Sequence, residues 1–141
     1  MKRIKINNIL CIFLILSLLI STASAAIPSE NPIHPRFVRI AHLSSSCSIS
    51  SSGYADCYGQ VDLNRTSDTA ELIMELQRSS NGYDWDTIKS WTASGKCAVE
   101  LSKGWYVASG YSYRVHITVR VYTSSGSLVE TATEDSFTAK Y

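Results

Sequence analysis

Cysteine, histidine with carboxylate, and clustered aromatic rings are the side chains in this sequence able to do chemistry. Cys47 and Cys57 stand at the ends of "CSISSSGYADC", equidistant from a Ser51-Ser52-Gly53 centre. Two thiols placed symmetrically about a turn can be joined by oxidation or can hold a metal. Zinc is not expected, because C-x-x-C spacing is missing and no histidine stands beside the pair. A disulfide is expected between Cys47 and Cys57, with Cys57–Cys97 as the rival pairing, and sequence alone leaves connectivity open. A loop this short contributes about 2–3 kcal/mol through chain entropy before any strain is subtracted.

Hydrolytic chemistry needs groups that converge. The histidines are His34, His42 and His116; none accompanies a nucleophile motif such as G-x-S-x-G. The serines gather in turns, where their hydroxyls serve the local backbone. Asp84 and Asp86, at i and i+2, would share one face of a strand, and Glu134 and Asp135 are adjacent. Two carboxylates fall short of the roughly 6–8 oxygens that calcium takes. The expectation is no enzyme, no metal and no cofactor.

The aromatic candidates are Tyr83, Trp85 and Trp91. Trp85 and Trp91 have equal parity, and Ile88 between them has the opposite parity. If Ile88 faces the core, the two tryptophans face outward with Tyr83, as a stripe suited to stacking on sugar rings. If they face inward they are core. Trp105 is expected in the turn region before Tyr111, covering one end of the fold.

The elements that would carry these residues follow from patterning. Lys2, Arg3 and Lys5 precede an apolar run, Ile9 to Ile20, and Ala23-Ser24-Ala25 supplies a small-x-small cleavage site. The run of 12 residues is shorter than the roughly 20 that cross a membrane. Residues 1–25 are therefore expected to be a cleaved signal peptide that sends the protein outside the cell, secreted or associated with the cell wall. Pro28, Pro32 and Pro35 mark residues 26–36 as an extended spacer.

Beyond residue 25 the balance is 10 basic against 12 acidic groups, a net charge of −2, since Lys2, Arg3 and Lys5 are three of the 13 basic residues and all 12 acidic ones lie later. With no basic cluster, nothing draws the chain to nucleic acid or to an anionic membrane. Three cysteines remain (Cys47, Cys57 and Cys97), and outside the cell a disulfide is the default.

After Arg36 the dominant period is two. In Tyr111 to Val121 every odd position is aromatic or β-branched and every even one polar. Strands are expected near residues 37–50, 54–63, 70–78, 84–92, 97–101, 111–122 and 128–138. Ser51-Ser52-Gly53 and Ser124-Ser125-Gly126 read as three-residue hairpin loops, with glycine in the left-handed position. That loop register sets Cys47 opposite Cys57. The fold class is all-β: residues 37–141 form one seven-stranded antiparallel β-sandwich.

The segments "SISSSGYADCYGQV", "IMELQRSSNGYDWDTIKSW" and "GYSYRVHITVRVYTSSGSLVETAT" resemble a family of small secreted β-sandwich proteins of Gram-positive bacteria, of unknown function. The resemblance implies a leader and one sandwich, with no catalytic or binding residues to carry over. At the level of fold, "LSKGWYVASGYSYRVHITV" resembles the approach to the penultimate strand of immunoglobulin-like and fibronectin type III domains. That resemblance gives Tyr111 or Tyr113 the role of tying down the preceding corner. The expected function is a non-enzymatic extracellular interaction module with a protein or glycan partner. One form is a cell-wall or glycan-binding module acting through Tyr83, Trp85 and Trp91. The other is a self-associating or protein-binding module acting through an edge strand or Cys97.

Overall fold

Alternation of side chains decides the architecture. In the computed structural model, which describes residues 37–141, the strands are β1 (Ile40–Ile49), β2 (Tyr54–Leu63), β3 (Thr69–Ser79), β4 (Asp86–Lys96), β5 (Ala98–Tyr106), β6 (Ser112–Tyr122), β7 (Leu128–Asp135) and the short β8 (Ala139–Lys140). The signal peptide (1–25) and spacer (26–36) readings lie outside the described residues. No helix among the described residues is long and apolar enough to cross a membrane.

The strands form two antiparallel sheets packed as a sandwich. One has the order β1-β2-β5; the other runs β4-β3-β6-β7, with β8 added alongside β6. The inward residues of β3 (Ala70, Leu72, Met74, Leu76) and β6 (Tyr113 to Val121, odd positions) are fully buried. Ala55, Cys57 and Val61 of β2 and Val99 and Leu101 of β5 close the core from the other sheet. Each sheet of period-two strands has one apolar face, and the two faces bury each other.

The turns take the form their composition dictates. Gly53 adopts φ 79°. Its N–H donates to the Ser50 carbonyl at 3.0 Å, and the Ser50 N–H donates to the Tyr54 carbonyl at 2.9 Å. The Thr123–Ser127 loop repeats this pattern around Gly126, at φ 84°. The backbone requires a left-handed residue there, and glycine takes it without a Cβ clash.

Two polar devices fasten the start of the sandwich. The Glu130 carboxylate accepts from the N–H groups of Val38, Arg39 and Ile40, at 2.8, 2.7 and 3.2 Å, tying the entry of β1 to β7. Buried Asp68 pairs with Arg39 at 2.9 Å. At the far end, buried Tyr113 donates its hydroxyl to the Ala108 carbonyl at 2.5 Å, so Tyr113 rather than Tyr111 ties down that corner.

Two placements differ from expectation. β5 runs to Tyr106, so Trp105 is a strand residue opposite Ala55 and not part of a turn. The hydrogen-bonding edge of β2 back to Tyr54 extends β5 past its apolar start. Asp84 precedes β4, which begins at Asp86, so these carboxylates do not share a strand face. Asp84 instead accepts from the Asn81 side-chain amide at 2.7 Å, within the loop.

Candidate functional site

The register of β4 settles the tryptophans. Leu76 pairs with Lys89 but Gln77 pairs with Thr87, so Ile88 is an extra residue, a β-bulge. A bulge reverses the parity of everything beyond it. Ile88 and Trp91 therefore both pack against the core, despite their odd spacing. Trp85, on the other side of the bulge, lies on the outer face of the five-stranded sheet, with the Arg114 guanidinium 4.3 Å from its ring centre. Of the two alternatives the sequence left open, Trp91 takes the inward one, so Tyr83, Trp85 and Trp91 form no outward stripe, and Tyr83 stands alone at the loop tip, 88% exposed.

Around Trp85 the polar groups are mutually satisfied. Arg114 donates to Gln77 at 2.9 Å and to Asp135 at 2.9 Å, and Asp135 also meets His116 Nδ1 at 2.6 Å. This network fixes the outer face of the sheet rather than offering free groups.

A different aromatic group is available on the three-stranded sheet. Even-numbered residues of β2 and β5 point away from the core. Tyr54 stands opposite Tyr106, Asp56 opposite Gly104, Tyr58 opposite Ser102 and Gln60 opposite Glu100. The rings of Tyr54 and Tyr106 meet edge to face, 5.0 Å apart, and Tyr106 is 71% exposed. Tyr54 crosses over Gly104: a Cβ built on that glycine would stand 1.8 Å from the Tyr54 hydroxyl oxygen. Glycine is what lets the tyrosine lie close to the sheet.

Beside the rings runs a polar ladder. Tyr58 donates to Gln60 Oε1 at 2.7 Å, and the Gln60 amide donates to both oxygens of Asp62, at 3.1 and 3.2 Å. Desolvation, then the charge and hydrogen bond of Glu100 and the charge of Asp62, push the Tyr58 hydroxyl above its usual range. On β1, Ser44, Ser46 and Ser48 continue the row opposite Gln60, Tyr58 and Asp56. Aromatic faces flanked by carboxylates, amides and hydroxyls can stack on apolar ring faces and accept hydrogen bonds from ring hydroxyls.

A groove of about 310 Å³ lies between β1 and β7, lined by Phe37, His42, Leu43, Thr133 and Glu134. Ser45 already donates to Glu134 at 3.2 Å. Among the described residues no cluster of three or more His, Cys, Asp or Glu side chains is placed to hold a metal ion. His34 lies outside the described residues.

The register places Cys47 opposite Cys57, on the core side of the hairpin. Both thiols are unbonded in the structure, and so is that of Cys97. The rival Cys57–Cys97 pairing is excluded by geometry. Cys57 faces Lys103, and six residues of extended chain, roughly 20 Å at the rise of a strand, separate Lys103 from Cys97. Cys97 sits exposed in the β4–β5 turn at φ 68°, its carbonyl accepting from the Leu63 N–H at 2.7 Å.

The sequence reading missed Tyr54, Tyr58 and Tyr106. The first two were legible as even positions in a strand whose odd positions face inward; Tyr106 was hidden by the underestimated length of β5. No protein-family model matches the chain, and neither does any curated protein.

Proposed function

We propose that this chain is a secreted, non-enzymatic β-sandwich that binds a neutral extracellular or cell-wall glycan through the outer face of its three-stranded sheet. The observation that carries the reading is the Tyr54–Tyr106 pair: two tyrosines side by side on an open sheet face, one held low by Gly104 and the other standing 71% exposed beside it. A face this aromatic is costly to leave in water unless something covers it. Its outward positions carry Asp56, Asp62 and Glu100 and no lysine or arginine. That charge repels anionic polymers and suits neutral sugars, whose hydroxyls donate to carboxylates and amides.

Secretion, through a leader at residues 1–25, is part of the same reading, as is kinship with the Gram-positive family. The strand order β1-β2-β5 against β4-β3-β6-β7 and the Tyr113–Ala108 bond support a fibronectin type III-like relationship. In an oxidising compartment the facing Cys47 and Cys57 would close into a disulfide within the first hairpin.

The test is co-sedimentation with chitin as a neutral insoluble glycan and with purified Gram-positive sacculi stripped of their anionic teichoic acid. The wild-type protein is retained on at least one of them, and Tyr54→Ala and Tyr106→Ala each weaken retention by about tenfold, the loss of roughly one stacking contact. Failure to bind either matrix, or unchanged binding by both variants, overturns the reading.

A further inference from the structure

Cys47 and Cys57 lie on the side of the β1–β2 hairpin opposite the tyrosine face, and the two thiols are not equivalent. The bond from the Ser50 N–H to the Tyr54 carbonyl makes that pair a hydrogen-bonded one. Antiparallel pairs alternate, so Ser48 and Asp56 share hydrogen bonds whereas Cys47 and Cys57 do not. Side chains approach closest in pairs of the second kind.

β1 is an edge strand with β2 as its one sheet neighbour. Cys47 is half-buried on that edge, whereas Cys57 is 1% exposed beneath it. A reagent approaching the edge meets Cys47 and is kept from Cys57. The hydrogen bond with Cys57 lowers the Cys47 thiol, against an opposing effect of burial. The same contact, together with burial and the negative charges of Cys47 and Asp56, pushes the Cys57 thiol up. The contact between the thiols thus favours the thiolate on the reachable sulfur, and thiolate is the form that attacks.

Resting on the disulfide proposed above, we propose that Cys47 is the entry thiol and Cys57 the resolving thiol of an exchange pair that reacts with low-molecular-weight disulfides. The Cys47 thiolate attacks one sulfur of a small disulfide R–S–S–R, forming Cys47–S–S–R and releasing R–S⁻. That thiolate takes the proton from Cys57. The Cys57 sulfur then attacks the Cys47 sulfur, the bond to R breaks, and the second R–S⁻ leaves to be protonated by water. Two protein thiols are oxidised to one disulfide, and R–S–S–R is reduced to two R–SH. Cys97, in its distant turn, takes no part.

The experiment treats reduced protein carrying Cys97→Ser with oxidised glutathione, quenches with acid, and reads intact mass and free thiols. The protein with both remaining cysteines loses two thiols and retains no glutathione. Adding Cys57→Ala traps one glutathione on Cys47. Adding Cys47→Ala instead leaves Cys57 about 100-fold slower to react, because its modification must await local opening of the hairpin. Cys57→Ser and Cys47→Ser repeat the comparison should either alanine variant lose its folded circular-dichroism spectrum. If both thiols persist when Cys47 and Cys57 are present, the bond and the exchange order are overturned together. If the bond forms but Cys57 alone is modified as fast as Cys47 alone, the order is overturned and the bond stands.

Discussion

Tyr54 occupies the space above Gly104 that any larger residue would need, its hydroxyl oxygen 1.8 Å from where a Cβ would be built. The tyrosine lies on an open face and its ring end can swing away, so Gly104→Ala displaces it without breaking the strand. The expected outcome is weakened glycan retention, comparable to Tyr54→Ala, with stability changed by less than about 1 kcal/mol in urea unfolding. Full retention by this variant would mean that the position of Tyr54 does not matter to binding.

The two tryptophans of the β4 region test the bulge at Ile88. Trp91 packs against the core and Trp85 covers Arg114 on the outer surface. Trp91→Ala should cost about 3 kcal/mol, as removal of a large core side chain does. Trp85→Ala should cost less than about 1 kcal/mol, the scale of a surface cation–π contact. Equal costs, measured by urea denaturation, would contradict the parity reversal.

Tyr113 links packing to alkaline stability. Burial is the largest influence on its hydroxyl and raises it above the usual value near 10; the charge of Arg78 opposes this and Tyr111 adds to it. A group whose folded value is raised holds its proton more tightly in the folded state. Its contribution is complete below the unfolded value and is lost as pH rises through the folded one. Tyr113→Phe should cost about 1 kcal/mol at neutral pH through the lost hydrogen bond to Ala108. The difference from wild type should shrink as pH rises beyond about 10. A difference that stays constant across that range contradicts the assignment.

Strand positions were written in the sequence because alternation and Ser-Ser-Gly loops are local signals. The facing of Cys47 and Cys57 followed from loop length alone. The aromatic site was harder to read for two physical reasons. A bulge has no reliable sequence mark, so parity about Ile88 left the face of Trp91 open. The last turns of β5, Lys103-Gly104-Trp105-Tyr106, pair because β2 extends beside them, a tertiary cause that no local pattern reveals. Tyr54 and Tyr106 become neighbours through that pairing alone.

The most direct test of the tyrosine face is an amide NMR titration of the isotope-labelled protein with a soluble β-1,4-linked N-acetylglucosamine oligosaccharide. Shifts that cluster at residues 54–60 and 100–106, and vanish in Tyr54→Ala, are the predicted result. Shifts centred on Tyr83 and Trp85, or none at saturating sugar, would contradict it.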